Sequence, residues 1–128
     1  MNKSKILVVD DELVVRMGVQ EQLKDAGYEV LMAEGGKQAA ALAQKEKFQL
    51  AFVDLWMPEM DGVEVCKLIK KHSPETEVIL ISGRPDGFGG REGDFVKVGG
   101  VNFFLYKPFL EGELLEAVQK VLAPKPTG

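Results

Sequence analysis

The chain has one cysteine, one histidine and one tryptophan among 128 residues, and none of its apolar runs approaches the length of a membrane span. A lone Cys66 cannot close an internal disulfide, and its place in an apolar helical pattern reads as a small buried hydrophobe rather than a reactive thiol. Without ~20 consecutive apolar residues a spanning helix is not expected. The start, Met1-Asn2-Lys3-Ser4-Lys5, leads straight into a strand-like run with no small-residue cleavage site, so the expectation is a soluble cytoplasmic protein. Positive charge is also in short supply. Sixteen Lys and Arg stand against twenty Asp and Glu, a net charge of -4, with no basic cluster to displace counterions from a phosphate backbone. Direct binding to nucleic acid is therefore not expected.

What is present is an alternation of short β-branched runs with helical patterns. Ile6–Val9, Tyr28–Met32, Leu50–Val53, Glu77–Ile81 and Asn102–Tyr106 read as strands, and the continuous apolar ones suit strands covered on both faces. Between them, Leu13 to Ala26 carries Val15, Val19, Leu23 and Ala26 at helical spacing and stops at Gly27. A second helix spans about Gly36 to Lys47, with Ala39, Leu42 and Ala43 on one face. A third follows Gly62 with Val65, Leu68, Ile69 and His72 on one face and ends before Pro74. His72 reads as a helix-end residue that suits the dipole.

The stretch 83–100 holds seven of the fourteen glycines, so any helix there is short, about Asp94 to Val98. The last helix, about Glu111 to Leu122, turns Leu114, Leu115, Val118, Val121 and Leu122 inward, and Leu110 leaves its start weakly capped. The pattern predicts one domain over 1–122, a five-stranded parallel sheet with helices on both faces, and 123–128 as a tail or the start of a linker.

Right-handed crossovers send the carboxyl ends of all five strands to one edge. That edge collects Asp10, Asp11, Asp54, Ser82 and Lys107. Two carboxylates a few ångströms apart repel by about 4 kcal/mol at an effective dielectric near 20, so three imply a cation. Hard oxygen donors with room for water and phosphate suit Mg²⁺. Asp54, at the end of the third strand, is placed to attack phosphorus as a carboxylate nucleophile. Lys107 would supply a point charge to the phosphoryl group, and the Ser82 hydroxyl a proton donor. Glu12 reads as a helix-start acid rather than a ligand.

Four elements recur in order: Asp10-Asp11 after the first strand, Asp54 with Met57-Pro58 and Gly62, Ser82-Gly83 after the fourth, and Lys107-Pro108-Phe109 after the fifth. In these the chain resembles a response regulator receiver domain of two-component signalling over nearly its whole length, with a doubly wound, flavodoxin-like receiver fold. The resemblance implies that Asp54 takes a phosphoryl group from a sensor histidine kinase, a phosphotransfer protein or a small phosphodonor. It implies Mg²⁺ on Asp11, Asp54 and the Trp56 backbone carbonyl, with Asp10 acting through water. It implies a switch in which Ser82 moves to the phosphoryl group and Phe104 turns inward, altering the face of the fourth helix, fifth strand and fifth helix. Through that same face two copies would pair. It implies further that the Lys107–Pro108 bond is cis, and that Trp56 and Arg84 flank the phosphoryl group as modulators of its lifetime. Phe103 reads as core.

A phosphorylated-cofactor binder on the same fold and a receiver-like scaffold that is never phosphorylated are the competing readings. Catalytic turnover on a separate substrate is not expected, because the chain offers neither an obvious lid nor a second general base.

Overall fold

The structure, a computed structural model, describes residues 4–122. The tail or linker expected at 123–128 lies outside the described residues. Five strands, β1 (Lys5–Val9), β2 (Glu29–Ala33), β3 (Leu50–Asp54), β4 (Glu77–Ser82) and β5 (Phe104–Tyr106), pair in parallel in the order β2-β1-β3-β4-β5. They alternate with α1 (Leu13–Asp25), α2 (Gly36–Lys45), α3 (Gly62–His72), α4 (Glu92–Lys97) and α5 (Glu113–Leu122).

The apolar runs explain the layering. Successive strand residues point to opposite faces, so a strand packed on both sides must be apolar throughout. Leu7 and Val9 of β1, Ala51 and Val53 of β3 and Val78 and Leu80 of β4 join the core beneath α2, α3 and α4. Their neighbours Ile6, Val8, Leu50, Phe52, Ile79 and Ile81 join the second core, with Val19 and Leu23 of α1 and Leu114 and Val118 of α5. The expected doubly wound sheet is therefore the observed one.

Helix ends follow local chemistry. Gly27, at φ 95°, donates to the Lys24 carbonyl at 2.9 Å while Tyr28 donates to Leu23 at 3.0 Å, the paired bonds of a Schellman stop. At the start of α3 the Asp61 side chain accepts from the Glu64 N–H and the Glu64 carboxylate accepts from the Asp61 N–H, a complete capping box. Gly62 must be glycine. An added Cβ would lie 2.7 Å from the Asp54 carbonyl oxygen and 2.8 Å from the Leu55 Cα, both backbone atoms.

Several boundaries differ from the sequence reading. β5 begins at Phe104, because the chain first makes a tight turn in which Phe103 N–H donates to the Val101 carbonyl at 2.8 Å. α4 lies at Glu92–Lys97, upstream of the expected 94–98. α5 starts at Glu113, past Gly112 at φ 79°, so Leu110 is not its cap; the Leu110 N–H donates instead to the Glu113 carboxylate at 3.0 Å. On α5 the buried set is Leu114, Ala117 and Val118, with Leu115 only half-buried. The Lys107–Pro108 peptide is cis.

Candidate functional site

The sheet's register sets the site. Asp54 closes β3 opposite Ile81, and Ser82 closes β4 opposite Tyr106, so Lys107 emerges one residue beyond, its N–H donating to the Ser82 carbonyl at 2.8 Å. Asp10 leaves β1 with its N–H on the Ala33 carbonyl at 3.2 Å. Parallel pairing thus brings the ends of β1, β3, β4 and β5 to one edge, as the crossover argument expects.

Lys107 is the hub. Its Nζ lies 2.9 Å from Asp10 Oδ2, 3.1 Å from Glu12 Oε1 and 3.6 Å from Asp54 Oδ1. Its aliphatic stem passes over Gly83, where an added Cβ would come within 3.0 Å of Lys107 Cε. Asp10 is fully buried, and its Oδ1 accepts the Glu12 N–H at 2.9 Å. Beneath it, Arg16 Nη1 donates to the Asp10 carbonyl at 2.8 Å. Glu12 stands at the N-cap of α1 without capping it, since its carboxylate is turned onto Lys107. It is thus an ion-pair partner of the site lysine, a role the sequence reading missed.

Asp54 is 3% exposed, and its Oδ1 is buried with no hydrogen-bond partner among the described residues. A buried acceptor left unmatched is unfavourable. Burial above all, then the Asp10 and Asp11 charges, push its carboxyl up to about 7, against the opposing pull of Lys107 and the Trp56 N–H. Burial likewise lifts Asp10, with the Glu12 N–H and Lys107 resisting. For Lys107 burial works downward, yet the Asp10 hydrogen bond and the Asp54 and Asp10 charges hold it above its ordinary value. One lysine therefore balances a surplus of acid.

A cleft of about 280 Å³ opens here, lined by Asp11, Glu12, Asp54, Trp56, Gly83, Arg84 and Lys107. Carboxylate oxygens of Asp10, Asp11 and Glu12 lie within 4.8 Å of one another. Excess acid, an orphaned buried oxygen and hard donors fit a divalent cation. The same chemistry disfavours a phosphorylated cofactor, because the first loop offers carboxylates, and the Glu12 N–H that could meet a phosphate is already taken by Asp10.

Trp56 and Arg84 do stand together at the cleft, the Arg84 guanidinium 4.3 Å from the indole centroid. The indole N–H, however, points away, to the Gly87 carbonyl at 2.8 Å and Ser82 Oγ at 3.1 Å. Ser82 Oγ itself donates to Gly87 O at 2.6 Å. Phe104 is half-buried beside Phe88 (centroids 5.2 Å apart) and Phe95 (5.9 Å). Phe103 is half-buried against the opposite core, with Lys120 Nζ 4.7 Å from its ring. Far from the site, His72 ends α3 beside Gln44 at 3.4 Å, and Cys66 is fully buried, its thiol pushed up to about 12 chiefly by burial.

The sequence matches the profile of the response regulator receiver domain over residues 6–119. Chemotaxis protein CheY of Listeria monocytogenes is 35% identical over 117 residues, covering 91% of this chain and 96% of that protein. The alkaline phosphatase synthesis transcriptional regulatory protein PhoP of Bacillus subtilis is 33% identical over 122 residues, covering 95% of this chain and 49% of that protein. The chain spans about half the length of this and other transcriptional regulators it matches. Among solved structures, chemotaxis protein CheY4 of Vibrio cholerae superposes with a TM-score of 0.84 at 34% identity, covering 94% of this chain and all of that one.

Proposed function

The chain belongs to the response regulator receiver domain family of two-component signalling, and from that premise we propose that Asp54 is the residue that accepts the phosphoryl group. The observation that carries this is the unpartnered, buried Asp54 Oδ1, held 3.6 Å from Lys107 Nζ on a cleft with Asp11. A carboxylate oxygen of Asp54 forms the bond to phosphorus as the bond from phosphorus to the donor breaks. The electron pair departs with the leaving group, an imidazole nitrogen of a phosphohistidine or the carboxylate of an acyl phosphate. Lys107 donates to the transferred group, and the Ser82 hydroxyl turns to it.

Asp10, Asp11, Asp54 and the Trp56 carbonyl would hold Mg²⁺, which when bound offsets charge on the phosphoryl oxygens. The donor is a sensor histidine kinase or a phosphotransfer protein. Exposed apolar side chains support a protein donor: Val14 of α1 lines the groove that Lys107 and Pro108 help to form, and Leu13 and Met17 are exposed on the same helix. Among the described residues no helix is long and apolar enough to cross a membrane, and the proposed compartment is the cytoplasm. The phosphorylated form acts through Phe104 and the face of α4, β5 and α5, which also serves for pairing of two copies. Residues 1–122 are proposed as one receiver domain, and its output is signalling rather than turnover of a separate substrate.

Mass spectrometry after incubation with Mg²⁺ and acetyl phosphate tests the assignment. One phosphoryl mass on the wild type and none on Asp54→Asn is the expected result. No gain, or a gain on both, removes Asp54 from the centre.

A further inference from the structure

Ser82 is fully engaged where it stands. Its hydroxyl donates to Gly87 O at 2.6 Å and accepts from Trp56 Nε1 at 3.1 Å and the Arg84 N–H at 3.2 Å. A hydroxyl has one proton and two lone pairs, so aiming that proton at a phosphoryl group takes it from the Gly87 carbonyl, whatever becomes of the two bonds the oxygen accepts. The serious consequence falls on Gly87, a buried residue whose carbonyl would lose a donor. Buried carbonyls without a partner are strongly disfavoured.

A second donor is already in place. Trp56 Nε1 lies 2.8 Å from the same carbonyl and divides its proton between Gly87 O and Ser82 Oγ. The indole is also boxed in. Arg84 covers one face, and Gly89 approaches so closely that an added Cβ would come within 2.9 Å of the ring. Beside the latch, Phe88 is buried against Phe104 and Tyr106, with ring centroids 5.2 Å away in each case.

We propose that Trp56 is a positioning residue whose indole N–H takes sole hold of the Gly87 carbonyl when Ser82 turns to the phosphoryl group, so that the segment between β4 and α4 stays pinned while Ser82 moves. The proposal rests on Asp54 as acceptor. It separates two motions: the serine crosses to the phosphoryl group, and residues 85–90 do not follow.

Amide hydrogen exchange at Gly87, Gly89 and Arg91 reads the latch, because these N–H groups donate to the Arg84, Asp86 and Phe88 carbonyls within the segment. Beryllofluoride with Mg²⁺ serves as the phosphoryl probe, and a protein-bound ¹⁹F resonance verifies loading. In the wild type, protection is expected to agree within about twofold with and without the probe. Trp56→Phe keeps the ring and removes the donor; its amides are expected to exchange about tenfold faster only when loaded. Ser82→Ala should be unaffected in either state, whereas the double variant exchanges fast in both. Wild-type amides that speed up about tenfold on loading overturn the proposal, as does a Trp56→Phe variant equally fast in both states. If the wild type shows no bound resonance, the acceptor reading fails instead. The latch is then decided in the unloaded proteins: Ser82→Ala protected and the double variant not supports it, and equal exchange in the two refutes it.

Discussion

Replacing Asp54 with Asn is expected to stabilise the metal-free protein at alkaline pH. Asp54 is pushed from 3.8 up to about 7 by burial and by its acidic neighbours. Between those values the folded protein keeps a proton that the unfolded chain has released, so stability is full below about pH 4 and falls as pH rises to about 7. At about 1.4 kcal/mol per pH unit, the full loss is about 4 kcal/mol at pH 8, of which less than half is already incurred at pH 5. Asn has no proton to lose, and Lys107 keeps Asp10 and Glu12 as partners. Urea unfolding in a chelator should therefore show the variant more stable by roughly 4 kcal/mol at pH 8 and by less than half of that at pH 5, with an unchanged m-value. Millimolar Mg²⁺ should shrink the difference by stabilising the wild type. A difference that is absent at pH 8, or does not grow between pH 5 and 8, refutes the account of stored repulsion.

Lys107→Met removes the one cation that pairs with the Asp10 and Asp54 carboxylates among the described residues. Breaking such a buried pair is expected to lower stability by about 3–5 kcal/mol at pH 8 without metal, and adding Asp54→Asn should recover part of it; an unmoved urea midpoint would contradict the pairing. Gly62→Ala drives a Cβ to 2.7 Å from the Asp54 carbonyl oxygen and is expected to lose at least about 2 kcal/mol in thermal unfolding. Gly90→Ala, with nothing within 4 Å, should lose only about 1–2 from its φ of 76°. Asp61→Ala removes both a cap and a 2.8 Å ion pair to Arg91, whereas Arg91→Ala removes no cap and two partly exposed ion pairs, that one and a 3.0 Å pair to Asp94. Expected losses are about 1–2 and under about 1 kcal/mol, and the reverse order by urea titration would argue against the capping box.

The parts of the molecule readable from sequence are those where one physical demand acts alone. β1, β3 and β4 are buried on both faces and so spell themselves as apolar runs, and a carboxylate or hydroxyl ending such a run marks the site edge. The start of β5 and of α5 depends on turns at 101–103 and 110–112, where no single residue type compels the boundary. The Asp61 and Glu64 spacing did carry a capping signal, and Ala117 stood at the right helical spacing, but larger apolar neighbours drew the reading to Leu115. Trp56 lines the cleft. That its N–H would turn to Gly87 depends on where a loop thirty-one residues onward presents a carbonyl, which local pattern does not encode.

β5 is three residues long, lies at the sheet's edge and pairs only with β4. Lys107 follows it directly, and its partner Asp10 is ninety-seven residues away in sequence. Fraying of that edge and withdrawal of the counter-charge are consequently one event. How far the acids of the cleft are offset is a gauge of whether the first and fifth strands are both in place, and any ligand that neutralises the acids competes with the lysine for the work of keeping the edge strand docked.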